Sequence, residues 1–387
     1  MVSKSFRNGY MSSRYKICII TAARSEYGLL KWVIDGVHHD PQLELQLVVT
    51  GAHLSEVHGM TYRFIEEDGY PIAAKVDMQL VSNDKASIVR SMGNCSVGFA
   101  DTFAQLQPDI TVVLGDRYEL LPIVSAALVM GVPVAHISGG DITEGAIDNE
   151  VRNAVSMMSA IHFPGIESSA ENLRRMLGHK DSICVVGEPG LESFLRYDLM
   201  SREELAENIG LDVAKRWYLV TLHSETKLSL EENLQMVQNL FSQMECHEGI
   251  QFVISKANAD FGGVQINEFW ENVAKNNIER YHLYSSLGQR RYLSFMQQAA
   301  GVIGNSSSGI VEAPFWGIPV VNIGNRQKGR HLCKNVIQCG RNEEDIAEAF
   351  RQMQNQPRIA DTYYGDGRTS ELIIEKLKEW LAKNIAC

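Results

Sequence analysis

Short runs of apolar, β-branched residues recur along the chain, each followed by a polar turn and then by a longer stretch in which apolar residues return every three to four positions. Parallel strands joined by crossover helices produce that alternation, so an α/β protein is expected. Strands are predicted over 16–21, 45–50, 110–114, 132–137, 160–163 and 183–186 in the first half, and over 217–222, 251–254, 281–284, 301–303 and 319–323 in the second. The pattern breaks between 190 and 211, which marks a boundary. At 387 residues the chain exceeds what one core usually serves, and two domains of roughly 150–200 residues follow. The expected organisation is a tail over 1–14, one α/β domain over 15–190, a second over 191–370, and an amphipathic helix after 371 that packs back toward the first.

The polar, Gly-rich clusters fall directly after predicted strands, where open α/β sheets bind their ligands. In the first half they occupy 21–28 (Thr-Ala-Ala-Arg-Ser-Glu-Tyr-Gly), 50–53 (Thr-Gly-Ala-His), 115–117 (Gly-Asp-Arg) and 138–145 (Ser-Gly-Gly-Asp-Ile-Thr-Glu-Gly). In the second they occupy 223–225, 255–260, 286–289, 304–309 (Gly-Asn-Ser-Ser-Ser-Gly) and 324–330 (Gly-Asn-Arg-Gln-Lys-Gly-Arg). Two such sheets are expected to face one cleft.

Charge narrows the ligand. The chain has 36 Lys and Arg against 47 Asp and Glu, a net charge of −11, which argues against nucleic acid or an anionic membrane surface as the main partner. The most apolar stretch, 123–137, is broken by Ser125 and Pro133, and the N-terminus has no apolar core for a signal peptide, so a cytoplasmic chain is expected. Seven scattered cysteines without C-x-x-C pairs read as reduced thiols.

An anionic ligand in an acidic protein needs local binders. The 304–309 turn ahead of Ile310 reads either as a phosphate site at a helix start, with Ser306 and Ser307 adding hydroxyls, or as a plain helix cap. Glu312, beside such a site, makes sense if it accepts sugar hydroxyls, and is otherwise a surface helix residue. Arg326, Lys328 and Arg330 form a basic loop suited to a diphosphate, and Arg24 follows the first strand with similar logic, while Ser25 reads as a helix cap. Asp116 stands at a strand's carboxyl end, in a chemical role or in a structural turn with Arg117. Asp141, Glu144 and Asp148 crowd a Gly-Gly loop, either for proton transfer or as acids at a helix start. His53 and His223 are the histidines at strand ends; His136 and His162 lie in apolar patterns and read as core residues, leaving no metal site expected.

Taken together and in order, these motifs resemble the hydrolysing UDP-N-acetylglucosamine 2-epimerases of sialic acid biosynthesis, from about 16 to about 340. Ala-Ala-Arg-Ser-Glu-Tyr, Thr-Gly-Ala-His-Leu, Gly-Met-Thr-Tyr-Arg, Gly-Asp-Arg-Tyr-Glu, Gly-Gly-Asp-Ile-Thr-Glu-Gly-Ala-Ile-Asp and the two later Gly-Asn loops carry the likeness. It implies a GT-B fold of two Rossmann-like domains facing across a cleft. It also implies elimination of UDP to a 2-acetamidoglucal and then hydration to N-acetylmannosamine, without metal or nicotinamide cofactor, in a homodimer or homotetramer. Arg24, Arg117, His223, Asn258, Ser306, Ser307, Glu312 and Arg326 then correspond to nucleotide and phosphate contacts, while Asp116, Asp148, Arg152 and His53 face the sugar. The catalytic candidates are Asp116, Asp148, Glu144 and His223.

Three departures matter: Ser138 stands where some relatives have Glu, Arg152-Asn153 where Arg-His is usual, and Ser156-Met157 where Thr-Lys is usual. A sister group acting on UDP-2,4-diacetamido-trideoxyhexose shares most of the motifs and is the alternative substrate class; a GT-B glycosyltransferase or a non-catalytic nucleotide-sugar sensor are the others.

Overall fold

The computed structural model describes residues 14–82, 84–142, 147–258 and 261–385. The chain forms two units: one runs up to Glu192 and resumes at Arg368, the other spans Ser193–Gly367.

The first unit contains strands β1 (Tyr15–Thr21), β2 (Leu43–Thr50), β3 (Ile72–Val76), β4 (Ile110–Leu114), β5 (Val134–Ile137) and β6 (Ile161–Phe163), in one parallel sheet of order β3-β2-β1-β4-β5-β6. Alternate residues of β1 go to opposite faces and both faces are covered. Ile17 and Ile19 join Leu30 and Ile34 of the helix Arg24–His39, together with Ile373, Leu377 and Leu381 of the C-terminal helix Thr369–Asn384. Cys18 and Ile20 meet Phe99, Phe103 and Ile123 on the other side. Glu192 ties the returning helix down, accepting hydrogen bonds from Ser370 N (2.8 Å) and Ser370 Oγ (2.6 Å).

The second unit repeats the plan with β7 (Arg216–Thr221), β8 (Ile250–Ser255), β9 (Tyr281–Tyr284), β10 (Gly301–Gly304), β11 (Val320–Ile323) and β12 (Val336–Cys339), in the order β12-β11-β10-β7-β8-β9. Tyr218, Val220, Phe252, Ile254 and Trp270 are at the centre of its core. In each unit the strand order reverses beside the first strand. The switch points are therefore the carboxyl ends of β1 and β4, and of β7 and β10, the positions that bind ligands in such sheets.

Ten predicted strands coincide with observed ones, with ends that differ by up to two residues. The eleventh, 183–186, is not a strand: a single parallel bridge joins Ile183 to His162, and the chain then leaves the sheet. β3 and β12 were not expected. Both are edge strands with largely exposed or half-buried residues, so neither shows a continuous apolar run.

Candidate active site

At the end of β1 the chain turns from Thr21 into the helix Arg24–His39. Glu26, in the first helical turn, reaches back so that its Oε2 accepts the Ala22 amide at 2.6 Å and the Ala23 amide at 3.2 Å. Glu26, not Ser25, thus caps this helix; the N-cap residue is Ala23. Glu26 is buried, and burial pushes its carboxyl up to about 7. Its other oxygen lies 3.7 Å from Arg117 Nε, while Arg117 Nη2 donates to the fully buried Glu119 at 2.7 Å. Arg117 is therefore held between two carboxylates below the β4 turn. Arg24 is exposed, its guanidinium 4.8 Å above the Phe64 ring.

His53 follows β2 but has no exposed surface: its Nε2 pairs with Thr21 Oγ1 at 3.0 Å and its Nδ1 with Thr61 Oγ1 at 2.8 Å. Burial lowers its pKa to about 4. Both ring nitrogens are engaged beneath the strand ends, and the side chain braces the β1 and β2 turns.

Asp116 stands one residue past the left-handed Gly115 and is half-buried. Its Oδ2 is ion-paired with the buried Arg152 of the helix Asp148–Met157, and Arg152 Nη1 also donates to the Asp141 carbonyl at 2.8 Å. His136 on β5 fixes the turn from below. Its Nε2 donates to the Gly115 carbonyl (2.7 Å), which makes Nδ1 the acceptor for Ser156 Oγ (2.9 Å), and burial lowers the imidazole to about 4. Asp141 accepts from Ser169 Oγ at 2.5 Å. Between them Gly140 has φ +86°, and a Cβ there would stand 2.2 Å from the Ser169 carbonyl, so only glycine fits. Ser138, by contrast, holds φ +60° without being glycine, a strained backbone at the head of this loop. Asp148 opens its helix, half-buried, eight residues beyond Gly140 in the sequence. Glu144 lies outside the described residues.

In the second unit the hub is Asn305, fully buried at the end of β10. Its Oδ1 accepts the His223 amide (2.7 Å), its Nδ2 donates to the His223 carbonyl (2.8 Å), and its own carbonyl receives Arg326 Nη1 (3.2 Å) and Gln327 Nε2 (2.9 Å). His223 Nδ1 in turn accepts the Asn258 amide at 3.2 Å, which leaves the proton of the neutral ring on Nε2. The Asn305 side chain thereby fixes the His223 backbone, and through His223 the Asn258 amide, while its main-chain carbonyl holds Arg326. Gly304 permits the approach: with φ +136°, any Cβ would be 2.0 Å from the Thr221 carbonyl.

Ser306 is the N-cap of the short helix Ser307–Val311 and accepts from Ser308 Oγ at 3.1 Å, while Ser307 is exposed at its first position. Glu312 ends that helix; burial raises its carboxyl to about 7, beside Tyr292, and its Oε2 is buried without a donor among the described residues. That oxygen suits a hydroxyl donor. The sequence reading missed Glu26, Glu119 and Asn305; the first carries no capping signature, since the N-cap residue is Ala23 rather than Ser, Thr, Asp or Asn.

The geometry can be set beside known proteins. The family model described as UDP-N-acetylglucosamine 2-epimerase matches residues 35–378. A Campylobacter jejuni protein named GDP/UDP-N,N'-diacetylbacillosamine 2-epimerase (hydrolyzing) is 36% identical over 343 residues, covering 89% of this chain and 88% of its own. A Legionella pneumophila UDP-N,N'-diacetylbacillosamine 2-epimerase (hydrolyzing) is 31% identical over 364 residues, covering 94% and 95%. The solved UDP-GlcNAc 2-epimerase of Neisseria meningitidis, bound to UDP-GlcNAc, superposes with a TM-score of 0.75 at 18% identity, over 94% of this chain and 100% of that one. The fold is of the GT-B kind, two parallel-sheet α/β units.

Proposed function

Since the chain belongs to the UDP-N-acetylglucosamine 2-epimerase family, we propose that it is a hydrolysing 2-epimerase whose substrate is a UDP-2,4-diacetamido-2,4,6-trideoxyhexose of the diacetylbacillosamine type. The carrying observation is the 36% identity, across nearly nine tenths of both chains, to a relative named for that activity. It favours the sister-group substrate over conversion of UDP-N-acetylglucosamine to N-acetylmannosamine.

In this reading the second unit holds UDP. Arg326, Ser307 and the Nε2–H of His223 meet the diphosphate, Glu312 accepts ribose hydroxyls and Asn258 completes the nucleotide contacts, with Ser306 fixing the turn. The first unit works on the sugar. A carboxylate, Asp116 or Asp148, takes the proton from C2; the C2–H electron pair becomes the C1=C2 double bond, the C1–O bond breaks, and UDP leaves with that pair on its β-phosphate. Cations at the diphosphate stabilise the departing charge. Water then adds across the double bond, its oxygen to C1 and a proton to C2 from the other face, with the second carboxylate or Glu144 as acid. Arg152 orients Asp116, and Arg24 and Arg117 add positive charge on this side.

Product analysis after incubation with each UDP-sugar tests the substrate. The expected result is release of UDP and a 2-epimerised diacetamido sugar at a kcat/KM at least tenfold above that for UDP-N-acetylglucosamine. The reverse preference, or a requirement for an acceptor, would overturn it.

A further inference from the structure

The amino ends of the second unit's strands, the end of the sheet away from His223 and Asn305, line an open-sided cavity of about 450 Å3. Arg202, Lys215, Arg216 and Arg358 line it, and no Asp or Glu does. That is a dense cluster of cations for a chain of net charge −11.

The two inner guanidiniums are held by the backbone. Arg202 lies 3.6 Å over the Trp217 ring and donates from Nε to the Val213 carbonyl (3.1 Å) and from Nη2 to the Lys215 carbonyl (2.6 Å). Arg358 donates from Nη1 to the Gln297 carbonyl at 3.0 Å and from Nη2 to Ala299. Carbonyls fix geometry without cancelling charge, and the carboxylate whose field acts on Arg202, that of Glu203, lies outside the lining of the cavity. Burial and the field of Arg202 accordingly lower the pKa of Arg358, and none of the four cations has a carboxylate ion-pair partner among the described residues. Fixing like charges side by side is costly unless an anion completes the group. Gln356 adds a second demand: its Nε2 is spent on the Lys334 carbonyl, while its Oε1 is buried with no donor among the described residues. An acceptor of that kind calls for a hydroxyl.

We propose that this cavity is a second ligand site, for a small phosphorylated sugar whose phosphate sits among Arg202, Arg216 and Arg358 and whose hydroxyl meets Gln356. Planar guanidiniums grip phosphate through paired hydrogen bonds. The volume holds a phosphate and one ring. The seven residue steps from Arg216 to His223 separate it from the nucleotide end by about 23 Å along β7, so occupancy does not compete with UDP.

Calorimetric titration of the full-length protein, saturated with UDP, tests this with glucose 6-phosphate, inorganic phosphate and glucose as separate probes. Glucose 6-phosphate is expected to bind, at least tenfold more tightly than inorganic phosphate, and glucose not at all. Arg358→Gln and Arg216→Gln are each expected to weaken it tenfold or more, leaving UDP affinity within twofold. Arg216 is exposed and Lys215 half-buried, so Arg216→Gln and Lys215→Gln remain informative should Arg358→Gln fail to fold. Absence of binding in the UDP-saturated protein, or binding that these substitutions leave unmoved, would overturn the site; equal binding of inorganic phosphate would overturn the sugar.

Discussion

The Asp116 carboxylate, in the loop after β4, is ion-paired with the Arg152 guanidinium, which reaches it from the helix Asp148–Met157 and is itself anchored on the Asp141 carbonyl. This joins two of the strand-end clusters, 115–117 and 138–145, into one acidic and basic group at the carboxyl edge of the first sheet. Asp116→Asn keeps the shape and removes the base. If Asp116 transfers the proton, kcat should fall roughly 10²–10⁴-fold while UDP affinity, measured by calorimetry, stays within twofold. An unchanged kcat would assign proton transfer to Asp148 and leave Asp116 as a positioning partner.

Asn305 is the corresponding hub of the second unit. Asn305→Ala removes both bonds to the His223 backbone and leaves that amide and carbonyl without their buried partner. A loss of about 2–3 kcal/mol in stability is expected, read by urea denaturation. UDP affinity should fall about tenfold or more, because His223, and through it Asn258, are held by this side chain, whereas the Arg326 bond to the Asn305 main-chain carbonyl remains. Loss of stability without loss of UDP affinity would separate the hub from the nucleotide site.

Much of this was legible in the chain. The strands buried on both faces, such as β4 with all five residues inside, announce themselves as apolar runs. Their ends are less clear: Pro133 belongs to an apolar run yet precedes β5, its carbonyl accepting the Thr111 amide at 2.8 Å while the ring has no N–H to donate. The edge strands β3 and β12 escaped for the opposite reason, since exposure on one side removes the apolar signal. The strand-end clusters pointed to the polar residues at the surface of the site. They did not reveal the layer beneath, because a buried acid such as Glu119 or a buried amide such as Asn305 looks in sequence like any turn residue. His53 shows the same limit, for its position after β2 is visible and its engagement with Thr21 and Thr61 is not.

Glu26 gives a pH signature. Its carboxyl titrates near 7 in the folded state against 4.5 ordinarily, because burial disfavours the charge. The folded protein therefore holds this proton more tightly, and the contribution of Glu26 to stability is fully present below about pH 4.5 and lost as pH rises toward 7. Glu26→Gln can still cap Ala22 and Ala23 but has no charge to bury. The stability of Glu26→Gln relative to the parent should rise across pH 4.5–7 by on the order of 1–3 kcal/mol and level off above. Denaturation curves at several pH values measure this, and a pH-independent difference would contradict the buried-carboxyl assignment.

The central claim is that the C2–H bond of the sugar is broken and remade. The most direct measurement is turnover of UDP-N,N'-diacetylbacillosamine in deuterated water, with mass spectrometric and NMR analysis of the released sugar. The account predicts UDP together with a 2-epimerised sugar carrying one deuterium at C2. A released sugar with its original hydrogen at C2 would contradict it.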